Sequence, residues 1–317
     1  MKQMISIIIP AYNEAQTLDI FLKNLLEFID ESPLLQTYQW EIIVVNDGSQ
    51  DNSRQIIEVQ HQKDDRIQGI NFSRNFGKEI ALSAGLEHAK WDAMITIDSD
   101  GQHPISQIPN FIIEWNNGFG IVYNKRPNQK GASWIKSIAS RAFYTFFNTI
   151  SEFKLEAQTT DYRLLDRTVV DVFNQFGERT RLFRGIIDWI GFDKKVLIFD
   201  SELPLDKNRK PSYNYKKLFD LGLDALTSFS IAPLKFVWIC GVLVTVMSSI
   251  IIVISLFDML YLHKLGITNL WLFTGINTFL IGIVMSALGV IAYYIAGIHK
   301  ESKARPLYII KKTTDSH

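Results

Sequence analysis

Two aspartates at alternate positions, Asp98 and Asp100, close an apolar run in ITIDSDGQHP, residues 95–104, and Gln102 follows at the same spacing. Carboxylate and amide oxygens suit hard divalent cations such as Mg2+ or Mn2+, which commonly share them with substrate phosphates. Gly101 favours the backbone curl that would let the three side chains serve one site. An Asp-x-Asp pair by itself equally suits a turn or a helix cap, so its meaning depends on what lies around it.

The surrounding elements are short β-branched runs alternating with helical patterns. ISIIIP precedes a segment from Thr17 to Ile29 with apolar residues at Leu18, Phe21, Leu22, Leu25 and Leu26; EIIVVND precedes Ser53 to Val59; QGINF, KEIALSAGLEHA and AMITIDSD follow. Such alternation predicts an α/β fold with a Rossmann-like, mostly parallel sheet. Ligands of these sheets bind beyond the carboxyl ends of the strands. Pro10 to Glu14, Asn46 to Ser49 and Asp98 to Gln102 all fall at such ends. Neither a Gly-x-Gly-x-x-Gly after a strand nor a complete P-loop around Gly77-Lys78 is present, which disfavours dinucleotide binding and P-loop phosphoryl transfer.

Composition narrows the field further. The 317 residues are 47% hydrophobic and carry 33 basic against 33 acidic side chains, so no global charge favours nucleic acid, and no nucleic-acid partner is expected. The single cysteine, Cys240, lies in an apolar run and supports neither a disulfide framework nor a thiolate zinc site. The N-terminal MKQMISIIIPAYNE reads as a first strand rather than a signal peptide, because Pro10 interrupts the apolar run and no small-residue cleavage site follows.

The C-terminal third is different in kind. No charged residue occurs from Phe236 to Phe257 or from Gly266 to Ile298. Each run reaches the roughly 20 residues that span a bilayer. Two transmembrane helices are expected, at about 234–257 and 268–298, followed by a tail at 300–317. Lys235 before the first run, and Lys300, Lys303, Arg305, Lys311 and Lys312 after the second, outweigh the single lysine between the runs. The positive-inside bias therefore places both termini and residues 1–230 in the cytoplasm, with the chain a multi-pass protein of the inner membrane. Segments near 133–150 and 211–231 mix aromatic and basic residues as interfacial helices do, making membrane lipids a partner.

In order and spacing, IIIPAYNEAQTL, VVNDGSQDNS, NFSRNFGKEIALSAGL and ITIDSDGQHP resemble the GT-A glycosyltransferases of family 2. DYRLLDR at 161–167, RLFRGIIDWIGF at 181–192, the two apolar spans and ESKARPLYII bring the likeness to the polyprenyl-phosphate type, which includes the dolichyl-phosphate mannose synthases and the bactoprenol glucosyltransferases. The resemblance implies a GT-A domain that moves one hexose, with inversion, from a nucleotide sugar to a polyprenyl phosphate such as undecaprenyl phosphate for cell-envelope glycosylation. UDP-glucose is the favoured donor; GDP-mannose, UDP-N-acetylglucosamine and a modified arabinose are the alternatives.

Residue by residue, the resemblance implies that Pro10, Tyr12 and Glu14 cradle the base and ribose, that Asp47 reaches the base or ribose, and that Lys78 joins this donor-binding set. Asp98, Asp100 and Gln102 would hold Mg2+ or Mn2+ on the donor diphosphate, and Asp161 would be the carboxylate nearest the reacting centre, so Asp98, Asp100 and Asp161 are the catalytic candidates. A phosphate monoester is already largely an anion at neutral pH, since its second pKa is about 6, so basic groups that hold it matter more than a base that activates it. Arg126, Lys136, Ser140, Arg141 and Arg163 are the candidates for that holding role. The family likeness also implies a homo-oligomer, a tetramer. DKNRKPSYNYKKL, covering the 206–215 loop, departs from the family pattern in lacking a glycine, and no Gln-x-x-Arg-Trp of processive synthases occurs around Arg184 and Trp189. Two other functions stand beside this one: a transferase acting on a hydroxyl lipid, and a non-catalytic membrane scaffold or sugar-nucleotide sensor.

Overall fold

In the computed structural model the described residues are 3–125, 159–178, 181–198, parts of 237–250, and 268–314. They belong to two compact units, one comprising Met1–Asn148, Phe153–Leu218 and Arg305–His317, the other Thr149–Glu152 and Phe219–Ala304.

The first unit is built on one eight-stranded sheet. Its strands are β1 (Met4–Ala11), β2 (Gln39–Asn46), β3 (Ile67–Phe72), β4 (Ala93–Thr96), β5 (Ile121–Lys125), β6 (Thr159–Asp166), β7 (Lys194–Ile198) and β8 (Ile310–Thr313). The spatial order is β7-β5-β6-β4-β1-β2-β3-β8. β1 pairs in parallel with both β2 and β4, β2 with β3, and β5 with β7. β6 runs antiparallel between β4 and β5, and β8 runs antiparallel along β3. The sheet is therefore mixed, with the parallel core that the alternating pattern predicts.

Strands flanked on both faces are mostly apolar, and β1 follows: Ile5, Ile7, Ile8 and Ile9 are all fully buried, while the one buried polar side chain among them, Ser6, donates to Glu41 Oε2 at 2.7 Å. Helices α1 (Leu18–Glu31), α2 (Ser53–Lys63), α3 (Lys78–His88) and α4 (Ile108–Asn116) cover it, followed by α5 (Arg167–Gln175) and α6 (Phe183–Ile190). α1 buries Leu18, Phe21, Leu22, Leu25 and Ile29, a stripe at helical spacing, against the sheet. Gly85 on α3 lies so close to β1 that a Cβ there would stand 2.3 Å from Ile8 Cγ2, and this absent side chain is what lets helix and strand approach.

β1 is where the winding reverses, with β2 and β3 on one side and β4 on the other. Crevices at such switch points are where open α/β sheets bind ligands, and the ends of β1 and β4 are those of the Pro10–Glu14 and Asp98–Gln102 stretches.

In the second unit α7 (Thr268–Ser302) runs 35 residues, longer than the expected 268–298 span. Its stretch Phe279–His299 is long and apolar enough to cross a membrane, the one such helix among the described residues, and none of it is buried. Phe279, Ile281, Val284, Met285 and Leu288 are exposed around it, while Ser286 donates to the Gly282 carbonyl within the helix. Of the other expected span, Val237, residues 239–244, 246–247 and Ile250 are described and helical; the rest lies outside the described residues. The expected tail at 300–317 is partly something else: residues 310–313 are β8, an edge strand of the sheet in the first unit.

Candidate active site

Register explains how residues 63 positions apart come together. β6 pairs antiparallel with β4, Ala93 opposite Asp166 and Thr96 opposite Arg163; continuing two residues sets Asp98 opposite Asp161. The Thr96 hydroxyl donates to the Asp161 carbonyl and holds that end of the ladder. Beyond β4 the backbone curls as Gly101 suggested, with φ of +73° there, and the Asp100 carboxylate accepts from the Gln102 amide at 3.0 Å.

α3 begins at Lys78 and sends its ammonium between the two strand ends. Nζ is 2.7 Å from Asp98 Oδ1 and 2.9 Å from Asp161 Oδ2. From the start of α6, Arg184 donates to Asp161 through Nε at 2.5 Å and Nη2 at 3.0 Å, and through Nη1 to the Thr159 carbonyl at 3.0 Å. His103 Nε2 stands 3.5 Å from Asp98 Oδ2, with its ring tilted against Tyr162. Glu79, next to Lys78, accepts from the Phe183 amide at 2.7 Å and so ties α3 to α6.

The electrostatics follow from this crowding. Burial raises the pKa of Asp98 and Asp161, but Lys78 together with His103 at Asp98, and Lys78 together with Arg184 at Asp161, outweigh it, so both stay well below the ordinary carboxylate range. Among the described residues no cation pairs directly with Glu79, and burial together with the Asp161 charge pushes its carboxyl up to about 7. The result is two firmly ionised carboxylates with one ammonium between them.

At the end of β1, Tyr12 is 44% exposed beside Asn13, whose φ is +55°. This loop is zipped to the one after β2: the Asn13 amide donates to Ser49 Oγ, the Glu14 amide to Ser53 Oγ, and the Ala15 amide to Asp51 Oδ2. Pro10 and Glu14 are half-buried at the same edge, and Glu14 Oε2 accepts from the Thr17 hydroxyl at 3.1 Å. Asp47 departs from its expected role. It is 2% exposed, and its two carboxylate oxygens accept from the Phe76 and Gly77 amides at 2.6 and 2.9 Å, so it latches the loop before Lys78 rather than facing outward. Gly48, with φ of +67°, allows the same loop to lie close: a Cβ there would fall 2.3 Å from the Arg74 carbonyl carbon.

Arg163 also departs from expectation. Its guanidinium is fully buried, with Nε donating to the Thr160 carbonyl, the Tyr123 ring 5.3 Å away and Asp188 Oδ1 at 3.8 Å, so it presents no charge at the surface for an acceptor phosphate. Alternation along β6 is the reason: Asp161 and Arg163 share one face, but Arg163 lies two residues deeper in the sheet. Arg126, Lys136, Ser140 and Arg141 lie outside the described residues, as do both interfacial segments and the 206–215 loop.

Arg184, His103 and Glu79 enter the site without having been singled out for it. His103 stands inside ITIDSDGQHP and Arg184 inside RLFRGIIDWIGF, so proximity to a motif is the available signal; nothing in the sequence pairs Arg184 with Asp161 across 23 positions. The Asp98 carboxylate already holds a cationic nitrogen, and its oxygens are of the kind a hard divalent cation takes. Among the described residues no group of three or more His, Cys, Asp or Glu side chains converges as a complete ligand set.

Residues 6–177 match the model of the family described as glycosyl transferase family 2. The chain is 40% identical over 318 residues to an uncharacterized glycosyltransferase of Synechocystis sp., covering 96% of this chain and 94% of the relative. It is 36% identical over 307 residues to a bactoprenol glucosyl transferase of Shigella phage SfV, and 35% identical over 308 residues to a prophage bactoprenol glucosyl transferase homolog of Escherichia coli, covering 97% of this chain and 98% of the relative in both cases. A mixed sheet whose parallel core has its switch point at β1, a charged cluster at the ends of β4 and β6, and full-length likeness to such relatives agree: the chain belongs to glycosyl transferase family 2 and is a glycosyltransferase.

Proposed function

We propose that the protein transfers a single hexose, with inversion, from a nucleotide sugar to a polyprenyl phosphate at the cytoplasmic leaflet of the membrane. UDP-glucose is the favoured donor and undecaprenyl phosphate the favoured acceptor. Relatives that share nearly the whole chain carry the name bactoprenol glucosyl transferase, which supports glucose as the sugar and a polyprenyl lipid as the acceptor. In this reading the apolar C-terminal helices keep the enzyme where its acceptor is, because a long isoprenoid tail does not leave the bilayer.

The observation that carries the proposal is the state of Asp161. Lys78 and Arg184 both hold it, and a carboxylate kept that far below its ordinary range is a weak base. A hydroxyl acceptor requires a base; a phosphate monoester does not. Asp161 therefore serves to orient Lys78 and Arg184, leaving the acceptor to be held by basic groups. Tyr12, Pro10 and Glu14 would line the base and ribose end of the crevice. Asp98, with Asp100 and Gln102 two and four residues on, would hold Mg2+ or Mn2+ together with oxygens of the donor diphosphate. Bound there, the ion would offset charge on the departing nucleotide diphosphate.

The test is a panel of nucleotide sugars incubated with the full-length protein, undecaprenyl phosphate and Mg2+ or Mn2+, with the lipid product identified by mass. One hexose added to the lipid phosphate is expected from UDP-glucose. Transfer only to a diacylglycerol-type hydroxyl lipid, or no nucleotide diphosphate released from any donor, overturns the proposal.

A further inference from the structure

The loop of residues 73–77, which delivers Lys78 to the two aspartates, is gripped from behind by a part of the chain that follows the long apolar helix. β8 adds to the sheet edge antiparallel to β3, Asn71 opposite Lys312 and Phe72 opposite Ile310, with a bulge between Asn71 and Phe72. The ladder extends past the strands: the Ser73 amide donates to the Ile309 carbonyl at 2.9 Å, and the Thr314 amide to the Gly69 carbonyl at 3.0 Å. Ser73 is the first residue of the loop, so its entry angle is set by β8.

Tyr308 adds a second hold. Its ring stacks on Phe72 with centroids 5.0 Å apart and planes 19° apart, and Phe72 in turn meets the edge of Phe76 at 5.6 Å. Phe76 and Gly77 are the residues whose amides Asp47 latches. The Tyr308 hydroxyl donates to Glu87 Oε2 at 2.7 Å, near the far end of α3. One side chain thus touches the strand that enters the loop and the helix that leaves it. Between those two contacts the loop is exposed at Ser73, Arg74 and Asn75, Gly77 has φ of +105°, and the Asp47 carboxylate holds its last two amides.

We infer that Tyr308 and β8 are positioning elements for the donor site: they hold the 73–77 loop in the conformation that places Lys78, and so set nucleotide affinity from a segment lying after the membrane helix. The inference rests on the proposed placement of the donor at these strand ends. Tyr308 acts through Phe72 and Phe76 and touches no substrate.

Two readouts on the full-length protein separate the possibilities. Hydrogen exchange reports the Phe76 and Gly77 amides directly, without any ligand; calorimetry with UDP and Mn2+ reports the donor site. Tyr308→Ala is expected to accelerate exchange at those amides and to weaken UDP binding by about three- to tenfold, the size expected from losing one aromatic stack. Tyr308→Phe keeps the stack and is expected to restore both. Tyr308→Leu, which retains apolar cover without a ring, serves the same comparison if the alanine variant unfolds. Unchanged exchange in Tyr308→Ala overturns the hold on the loop, whatever the ligand. Faster exchange with unchanged UDP affinity overturns the link to the donor. If the parent protein binds no nucleotide diphosphate, the placement of the donor fails separately, and the exchange comparison still decides whether β8 holds the loop.

Discussion

Replacing Lys78 with methionine removes the ammonium that bridges Asp98 and Asp161 while keeping most of the side-chain volume. In the parent, Nζ lies 2.7 Å from Asp98 Oδ1, 2.8 Å from its Oδ2 and 2.9 Å from Asp161 Oδ2. Breaking an enclosed ion pair by deleting one partner costs about 3–5 kcal/mol. The Lys78 side chain is 35% exposed and Arg184 still faces Asp161, so solvent and the remaining cation reduce the cost to about 2–3 kcal/mol. For a unit of this size that lowers the unfolding midpoint by roughly 4–12 °C, read by tryptophan fluorescence on heating.

Added Mn2+ is then expected to raise the midpoint of Lys78→Met more than that of the parent, since a ligand that binds only the folded state stabilises it by mass action. The pH dependence has a defined sign. The folded pKa values of Asp98 and Asp161 lie below their unfolded values, so their contribution is present above about pH 4 and is lost as pH falls. Lys78→Met should flatten that acid limb. An unchanged midpoint, with the same acid limb and no added response to Mn2+, would refute the view that Lys78 holds the two carboxylates together.

Other perturbations test the surrounding parts. Gly48→Ala puts a Cβ 2.3 Å from backbone of the 73–77 loop at a φ of +67°, where neither side can yield; a loss of about 2–4 kcal/mol in thermal unfolding is expected, and a parental midpoint would contradict the packing. Glu79→Gln tests the raised carboxyl: with a folded pKa of about 7 against about 4.5 unfolded, the parent's stability from this group is full below pH 4.5 and falls as pH rises towards 7, so the variant's midpoint should vary less across that window. Asp100→Ala should abolish metal-dependent transfer while shifting the unfolding midpoint by no more than the loss of one turn hydrogen bond, about 0.5–1.5 kcal/mol; retained activity in Mg2+ would remove Asp100 from the metal-holding set.

Much of the site could be read directly because it is local. The strand–helix alternation placed Pro10, Tyr12 and Glu14, the Asn46–Ser49 turn and Asp98–Gln102 at strand ends, and the fold sets the first and last of these beside the switch point. Asp161 falls in the DYRLLDR motif, and antiparallel pairing of β6 with β4 sets it across from Asp98. Side-chain direction was harder. Asp47 sits at the expected turn yet spends its oxygens on two backbone amides, and Arg163 shares a face with Asp161 yet lies inside the sheet. Residue type and position along the chain state neither fact, because both depend on which backbone happens to lie alongside.

By itself, then, the sequence determined what periodicity and local chemistry can determine: the α/β class, the strand ends that carry polar residues, the metal-suited oxygens of Asp98, Asp100 and Gln102, and an apolar segment long enough for a membrane. Tertiary structure decided the partnerships. Lys78 reaches Asp98 and Asp161, Arg184 grips Asp161, and residues after the apolar helix return as β8 to brace the loop that carries Lys78. The physical reason is that ion pairs and strand pairing are contacts between distant parts of the chain, fixed by register and packing, while a sequence displays only the groups available to make them.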